Sequence, residues 1–359
     1  MKLLDRYILK RFLTSFLFVV LIIMAVIVVI DITEKIEDFN KHEDLTLNEI
    51  IFDYYLNFIP FMADLITPIT TFITVVFVTS KMAGHTELIA ILSSGVSFRR
   101  LLMPYMLGGL IIAGTSFALK GWVIPQSNKT RLEFEIKYLK NPYFFDKRNI
   151  HIQVAPDVSL YLSSYNNRNN SGHRFTMERF DGTELKEKLS ASSIKWNEEK
   201  GKWTIKDWKH RKIDSLTETI TQGREIDSTL AIHPKEFQSD YRNFDGMTIE
   251  ELDEQIERLR NRGATNVEVY EVEKYLRTGS PFAVIILTFM GVIVSSRKSR
   301  GGTGFQIALG FMIAFVYIIF VMLSKSLSES GSIPPALTVW LPNIIFMIIS
   351  GMMYKYVPR

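Results

Sequence analysis

The chain has 359 residues, of which 47% are hydrophobic, 42 are Lys or Arg, 38 are Asp or Glu, and none is Cys. The absence of Cys excludes a disulfide framework, thiolate metal sites and redox dithiols, and is compatible with either redox compartment. The net charge of +4 says less than the distribution of residues, because the apolar ones come in long blocks near both ends while Asn141 to Arg277 is polar and charged.

A membrane-crossing helix needs about 20 mostly apolar residues. Phe12–Ile30 is the first such segment; it runs into Asp31 with no small-residue cleavage site, so it reads as a span and not as a removable signal peptide. An acidic connection follows, with Asp31, Glu34, Glu37, Asp38, Glu43, Asp44 and Glu49 against Lys35 and Lys41. Tyr55–Thr79 is the second span and contains Pro60, Asp64 and Pro68; proline is tolerable there where neighbouring helices satisfy the carbonyl it frees. Between it and the third span, Leu101–Leu119, lies the segment Gly84–Ser97. There Leu88, Ile91 and Leu92 share one helical face, Glu87 opens the turn and Gly95 stops it. Such a helix can lie on the membrane surface, or it can dock into a groove of an ATPase with Glu87 paired to an arginine of that partner.

The polar insertion reads mostly as β. Ile150–Val154, Val158–Leu162, Arg174–Phe180, Ser193–Trp196, Trp203–Trp208 and Leu216–Thr221 alternate or are rich in β-branched and aromatic residues. Asn197–Gly201 reads as a hairpin loop and Asn166–Gly172 as a polar loop. Past Phe244 the period becomes helical: Thr248 caps a helix with Glu250 and Glu251 in its first turn and Leu252, Ile256 and Leu259 on one face, ending at Gly263. A second short helix, Val267–Arg277, leads to three more spans at Pro281–Ser296, Phe305–Ser324 and Leu337–Tyr356. Gly301–Gly304 reads as a flexible turn. The expected fold is an α-helical membrane protein of six transmembrane helices with an inserted all-β domain. Residues 1–124 would hold spans one to three, with the inter-span helix at about 84–97. Residues 125–244 would form the β domain, 245–277 a helical connector and 278–359 spans four to six.

Lysine and arginine placement sets orientation. Lys2, Arg6, Lys10 and Arg11 precede the first span, Lys81, Arg99 and Arg100 flank the inter-span segment, Arg297, Lys298 and Arg300 follow the fourth span, and Lys355 and Arg359 close the chain. Both termini are therefore expected in the cytoplasm and the insertion outside, in the periplasm of a double-membrane bacterium. No GxxxxGK[ST] loop, HExxH motif or defensible Ser/His/Asp set occurs, so no catalytic centre, bound cofactor or metal is expected. Nucleic acid is not an expected partner, because basic residues track topology and not one face. Asp64 and Lys325 are the ionisable residues within spans, and both are read as interfacial groups that reach water.

The stretch Thr86–Ser97 resembles the coupling-helix motif of the LptF/LptG permease family, the membrane subunits of the lipopolysaccharide-export ABC transporter. Five more stretches resemble that family in order: Leu4–Ile8, Trp122–Asn128, Pro281–Phe282, Arg300–Gly304 and Ile333–Asn343. Leu4–Ile8 and Trp122–Gln126 look more like LptG than LptF. The resemblance implies a subunit without catalysis of its own, paired with an LptF-like sister on a dimer of an LptB-like ATPase that uses the ATP. It implies extraction of lipopolysaccharide from the inner membrane and delivery through a periplasmic β-jellyroll-like domain to LptC-like and LptA-like partners. It also marks Glu87, Leu88, Ile91, Leu92 and Gly95 as the residues that couple to the ATPase. Exposing acyl chains to water costs about 0.8 kcal/mol per CH₂, so a sheltered route and a motor are both required.

Family members place basic residues after the first span, where lipid phosphates would meet them; here acids dominate that stretch. Lys35, Lys41, Lys120, Lys129 and Arg131 are the candidates to contact lipid in this chain; the partner subunit is the alternative source, and Lys120, Lys129 and Arg131 also read as ordinary interfacial anchors. Two other functions remain open: a permease of another lipid or lipoprotein exporter, and a membrane-anchored binding or assembly protein.

Overall fold

A computed structural model describes residues 3–139, 148–155, 157–214, 217–230, 232–234, 243–261, 267–296 and 302–355. Arg297, Lys298, Arg300, Gly301, Gly263, Leu216, Lys2 and Arg359 lie outside the described residues. The chain forms two compact units: one comprises Met1–Leu139, Phe244–Asp253 and Glu268–Arg359, the other Lys140–Asn243 and Glu254–Val267.

The first unit is helical because each apolar block is long enough to satisfy its backbone internally, the condition a bilayer imposes. Among the described residues, six helices are long and apolar enough to cross a membrane. They are α1 (Leu3–Asn40), α2 (Leu47–Gly84), α4 (Phe98–Leu139), α6 (Val267–Ser295), α7 (Gly302–Glu329) and α8 (Pro335–Tyr354), with the short α3 (Glu87–Ser93) after α2 and α5 (Ile249–Asn261) before α6. All six predicted spans are present, but several are longer than hydropathy marks. α1 continues ten residues beyond Ile30, through the stretch read as an acidic connection. α4 runs to Leu139 through two π-helical stretches, Leu119–Val123 and Glu135–Leu139, so residues 125–139 are helical and not part of the β domain. The cause is tertiary: polar side chains at these ends satisfy one another across helices. Val267–Arg277 and the fourth span form one helix, since Pro281 removes only a single backbone bond and is accommodated within α6. Gly302 to Gly304, read as part of a turn, form the first turn of α7.

Small residues set how closely the helices approach. A Cβ at Gly279 would lie 2.1 Å from Val339 Cγ1, at Gly109 2.8 Å from Thr288 Oγ1, and at Gly108 2.5 Å from the Phe12 ring. The cores they close include Ile8, Phe12, Leu88, Leu101 and Tyr105 around α1, α3 and α4, and Phe72, Leu287, Tyr317 and Phe346 around α2, α6, α7 and α8. α1 is the least enclosed: only 6% of its most apolar stretch is buried, against 67% for α6.

The second unit carries six antiparallel strands paired in sequence order. These are β1 (Arg148–Ala155), β2 (Val158–Asn166), β3 (Ser171–Asp181), β4 (Glu184–Asn197), β5 (Lys202–Asp214) and β6 (Thr217–Ser228). The strands follow one another as a meander, with no crossing connection. Gly182 and Gly201 have φ of +61° and +59° and close the β3–β4 and β4–β5 hairpins, where only glycine adopts that backbone freely. Leu160, Leu162, Phe175, Ile194, Trp203 and Ile205 form its buried face, and the Trp203 indole N–H donates to the Ile232 carbonyl at 2.9 Å.

Replacing Gly279 with Leu should force α6 away from α8. Loss of monodisperse protein in mild detergent is the expected outcome, whereas Gly114→Leu, with open space around its Cβ, should leave the elution profile unchanged.

Candidate functional site

Three regions carry polar chemistry: the turn between α2 and α4, the opposite end of the helical unit, and a groove on the sheet. In the first, α3 begins after Thr86, which takes a left-handed backbone (φ +63°), and stops before Gly95 (φ +85°). Ser97 then caps α4, its hydroxyl accepting from the Arg100 N–H at 3.3 Å. The expected helix at 84–97 is therefore present, but it is not free-standing. Leu88 is 1% exposed and packs in the bundle core, with Ile91 and Leu92 packed against the same cluster. The face left open carries His85, Thr86, Ile89, Ala90, Ser93, Ser94 and Gly95.

Glu87 sits between these faces. Its Oε2 accepts from Arg11 at 3.0 Å and from the Tyr7 hydroxyl at 3.2 Å, and Arg11 also donates to Tyr7 at 2.5 Å. Its Oε1 lies 3.7 Å from His85 Nδ1. The arginine that Glu87 finds in this chain is thus its own. A second pair, Arg100 to Asp5 at 2.5 Å, joins the start of α4 to α1. In the sequence Arg11 and Arg100 read only as topology charges, because partners far apart along the chain leave no local signal.

The opposite end holds the five basic residues, and each is matched to an acid. Lys35 contacts Asp31 at 2.5 Å, donates to the Tyr54 hydroxyl, and lies 4.6 Å from the Tyr54 ring centre. Asp31, read as an acid in a solvated connection, is 9% exposed and also accepts from Tyr55 at 3.1 Å. Lys41 pairs with Asp38 at 2.6 Å in the open. Lys120 reaches Asp64 at 3.2 Å and Ser280 at 2.6 Å, and Ser116 donates to Asp64 as well. Asp64 does not reach water as read from the sequence: it is 4% exposed, a buried charge linking α2 to α4. Lys325, by contrast, is partly exposed and lies 3.7 Å from Glu329 on its own helix.

Arg131 is 1% exposed, stacked 4.3 Å from the Phe61 ring centre and near Glu135 and Asp245. Lys129 binds Glu251 at 2.8 Å, which together with the Thr248 backbone N–H holds that carboxyl below the usual glutamate range. Thr248 caps α5 as expected from sequence, and Glu251 returns a bond by accepting from the Thr248 N–H. Arg277 donates to the carbonyls of Met247 and Phe244, so the segment arriving from the sheet is gripped by α4 and α6. That grip was not legible in the sequence.

On the sheet, a cavity of about 230 Å³ is lined by apolar Val158, Met177, Leu189, Ile205, Trp208 and Ile226, with Arg179, Glu187 and His210 at its polar edge. Asp207 takes a left-handed backbone (φ +49°) between Ile205 and Trp208, and both of these line the cavity. Among the described residues no cluster of three or more His, Asp or Glu is arranged to hold a metal ion.

Six long apolar helices, an inserted antiparallel sheet and an inter-span helix seated in the bundle now stand together. Residues 6–356 match the model of the family described as lipopolysaccharide export system permease LptF/LptG. The chain belongs to the LptF/LptG permease family. It is a permease subunit of a lipopolysaccharide export system and a multi-pass protein of the bacterial inner membrane. The match covers LptF and LptG together, and no curated protein matches the chain.

Removing one partner of a buried ion pair leaves an uncompensated charge, whereas removing both is often neutral. Asp64→Ala should therefore cost about 3–5 kcal/mol of stability. The double variant Asp64→Leu with Lys120→Met should regain most of it, as read by thermal unfolding in detergent.

Proposed function

We propose that this subunit converts ATP hydrolysis on a partner ATPase into extraction of lipopolysaccharide from the inner membrane. The observation that carries the reading is the placement of α3: Leu88 fixes it into the bundle while Ile89, Ala90 and Ser93 remain open for a partner. A helix held that way passes a push on its outer face to α2 and α4, which it joins. Small residues on that face admit close approach, and the Oε1 edge of Glu87 remains available to a partner arginine. The ATP is bound by the partner, and this chain acts without catalysis of its own.

Basic residues flanking α1 and the inter-span segment support a cytoplasmic location for both termini and α3, and a periplasmic one for the sheet. An LptF-like sister completes the lipid path beside the sparsely enclosed α1, and LptC-like and LptA-like partners receive the lipid. In this reading the apolar groove shelters acyl carbons, each worth about 0.8 kcal/mol per CH₂ when kept from water. Lys41 and Lys129, the most open of the five basic residues, meet lipid phosphates in exchange for Asp38 and Glu251.

The close acid matching of these five basic side chains also favours a second reading, a cargo lipid with few phosphates. Cross-linking from Lys41 to radiolabelled lipid separates the two by the lipid captured.

Ile89→Glu places a charge on the open face without touching the core. The expected result is loss of the co-purifying ATPase with an unchanged elution profile of the permease. Retention of the ATPase at the wild-type level would contradict docking through α3.

A further inference from the structure

Two ion pairs of opposite polarity join α1 to α3 and to the first turn of α4. α1 supplies the acid Asp5 and the base Arg11, less than two turns apart. The first turn of α4 supplies the base Arg100, and α3 supplies the acid Glu87. Arg11 meets Glu87 at 3.0 Å, and Asp5, its side chain 9% exposed, meets Arg100 at 2.5 Å. Ile8 and Phe12, on the same stretch of α1, have no exposure, and Leu88 opposite is at 1%. The charged contacts therefore flank a closed apolar one. The exchange of signs fixes register, because a slip of α1 by one turn, about 5.4 Å, would separate both pairs.

Above this foot α1 is held by a few apolar side chains, among them Phe16, Met24, Ile27 and Val28. Leu17, Phe18, Leu21, Ile22 and Val26 are open, and the next polar contact is Asp31 with Tyr54 and Tyr55. A helix held mainly at its ends follows whatever displaces an end.

We propose that Asp5 and Arg11 are positioning residues that make the foot of α1, the inter-span helix and the first turn of α4 one rigid body, so that a partner pushing α3 moves the first span directly. The inference rests on the docking reading above. It assigns α1 a drive that does not pass through α2 or α4 alone, and it gives the two bridges a role in coupling as well as in packing.

The test uses the complete transporter, with co-purified ATPase and sister subunit in lipid vesicles, and reads lipid released per ATP hydrolysed. Asp5→Arg should leave the ATPase bound and active while release falls by about tenfold, a typical size for coupling between sites. Adding Arg100→Asp should restore release, since the pair is then rebuilt with reversed sign. Because the chain has no cysteine, Asp5→Cys with Arg100→Cys offers a second arm. Release should be low before, and restored after, bridging with a short bis-maleimide. If the ATPase accompanies every variant but neither the reversed pair nor the bridge restores release, the rigid-body inference is wrong. If no ATPase accompanies even the unaltered chain, the docking reading fails and carries this inference down with it.

Discussion

A charge enclosed among membrane helices is tolerable only beside its opposite, and that requirement shapes both ends of this bundle. At one end Asp5 and Arg11 of the first span find Arg100 and Glu87. At the other, Asp31 finds Lys35, and Asp64 finds Lys120. Each of the Arg11–Glu87, Asp5–Arg100 and Asp64–Lys120 pairs joins different helices, so satisfying charge also fixes which helices travel together. The apolar middle of the bundle packs without such constraints, and its close approaches depend on glycine.

In the proposed reading, this arrangement suits a subunit that is pushed at α3 and passes lipid beside α1. The inter-span helix is seated by Leu88 and tied to α1 by the Glu87–Arg11 bridge, whereas the central part of α1 is scarcely enclosed. Arg277 and Asn128 hold the chain at Phe244–Met247 by its backbone carbonyls, and so keep the C-terminal end of α4 and the N-terminal part of α6 together. Polar ties are thus placed at the two ends of the bundle, with the open stretch of α1 between them.

The spans were legible because an apolar block of bilayer length has few alternatives. The extensions to Asn40 and Leu139 were not, since Asp31, Lys35, Glu135 and Arg131 look like loop residues until Tyr54, Tyr55 and Phe61 are placed around them. Likewise Glu184–Ser192 hides its strand character, because its lysines and glutamates pair across strands, as Lys188 does with Glu178. The helix at Glu87–Ser93 was readable in position from its apolar spacing. Its orientation was opposite to a simple amphipathic reading: Leu88, Ile91 and Leu92 face the protein's own core, which leaves Ile89, Ala90 and Ser93 outward. Pairs such as Asp5–Arg100 and Asp64–Lys120 join residues far apart along the chain, beyond the reach of any local pattern.

The central claim is that the open face of α3 is presented to the cell interior and covered there by an ATPase. Ser93→Cys supplies a single thiol on that face in an otherwise cysteine-free chain. A membrane-impermeant maleimide should fail to label it from outside intact spheroplasts, label it in inverted vesicles stripped of the ATPase, and be blocked when the ATPase is returned. Labelling from outside would place the helix beyond reach of any nucleotide-driven partner and contradict the account.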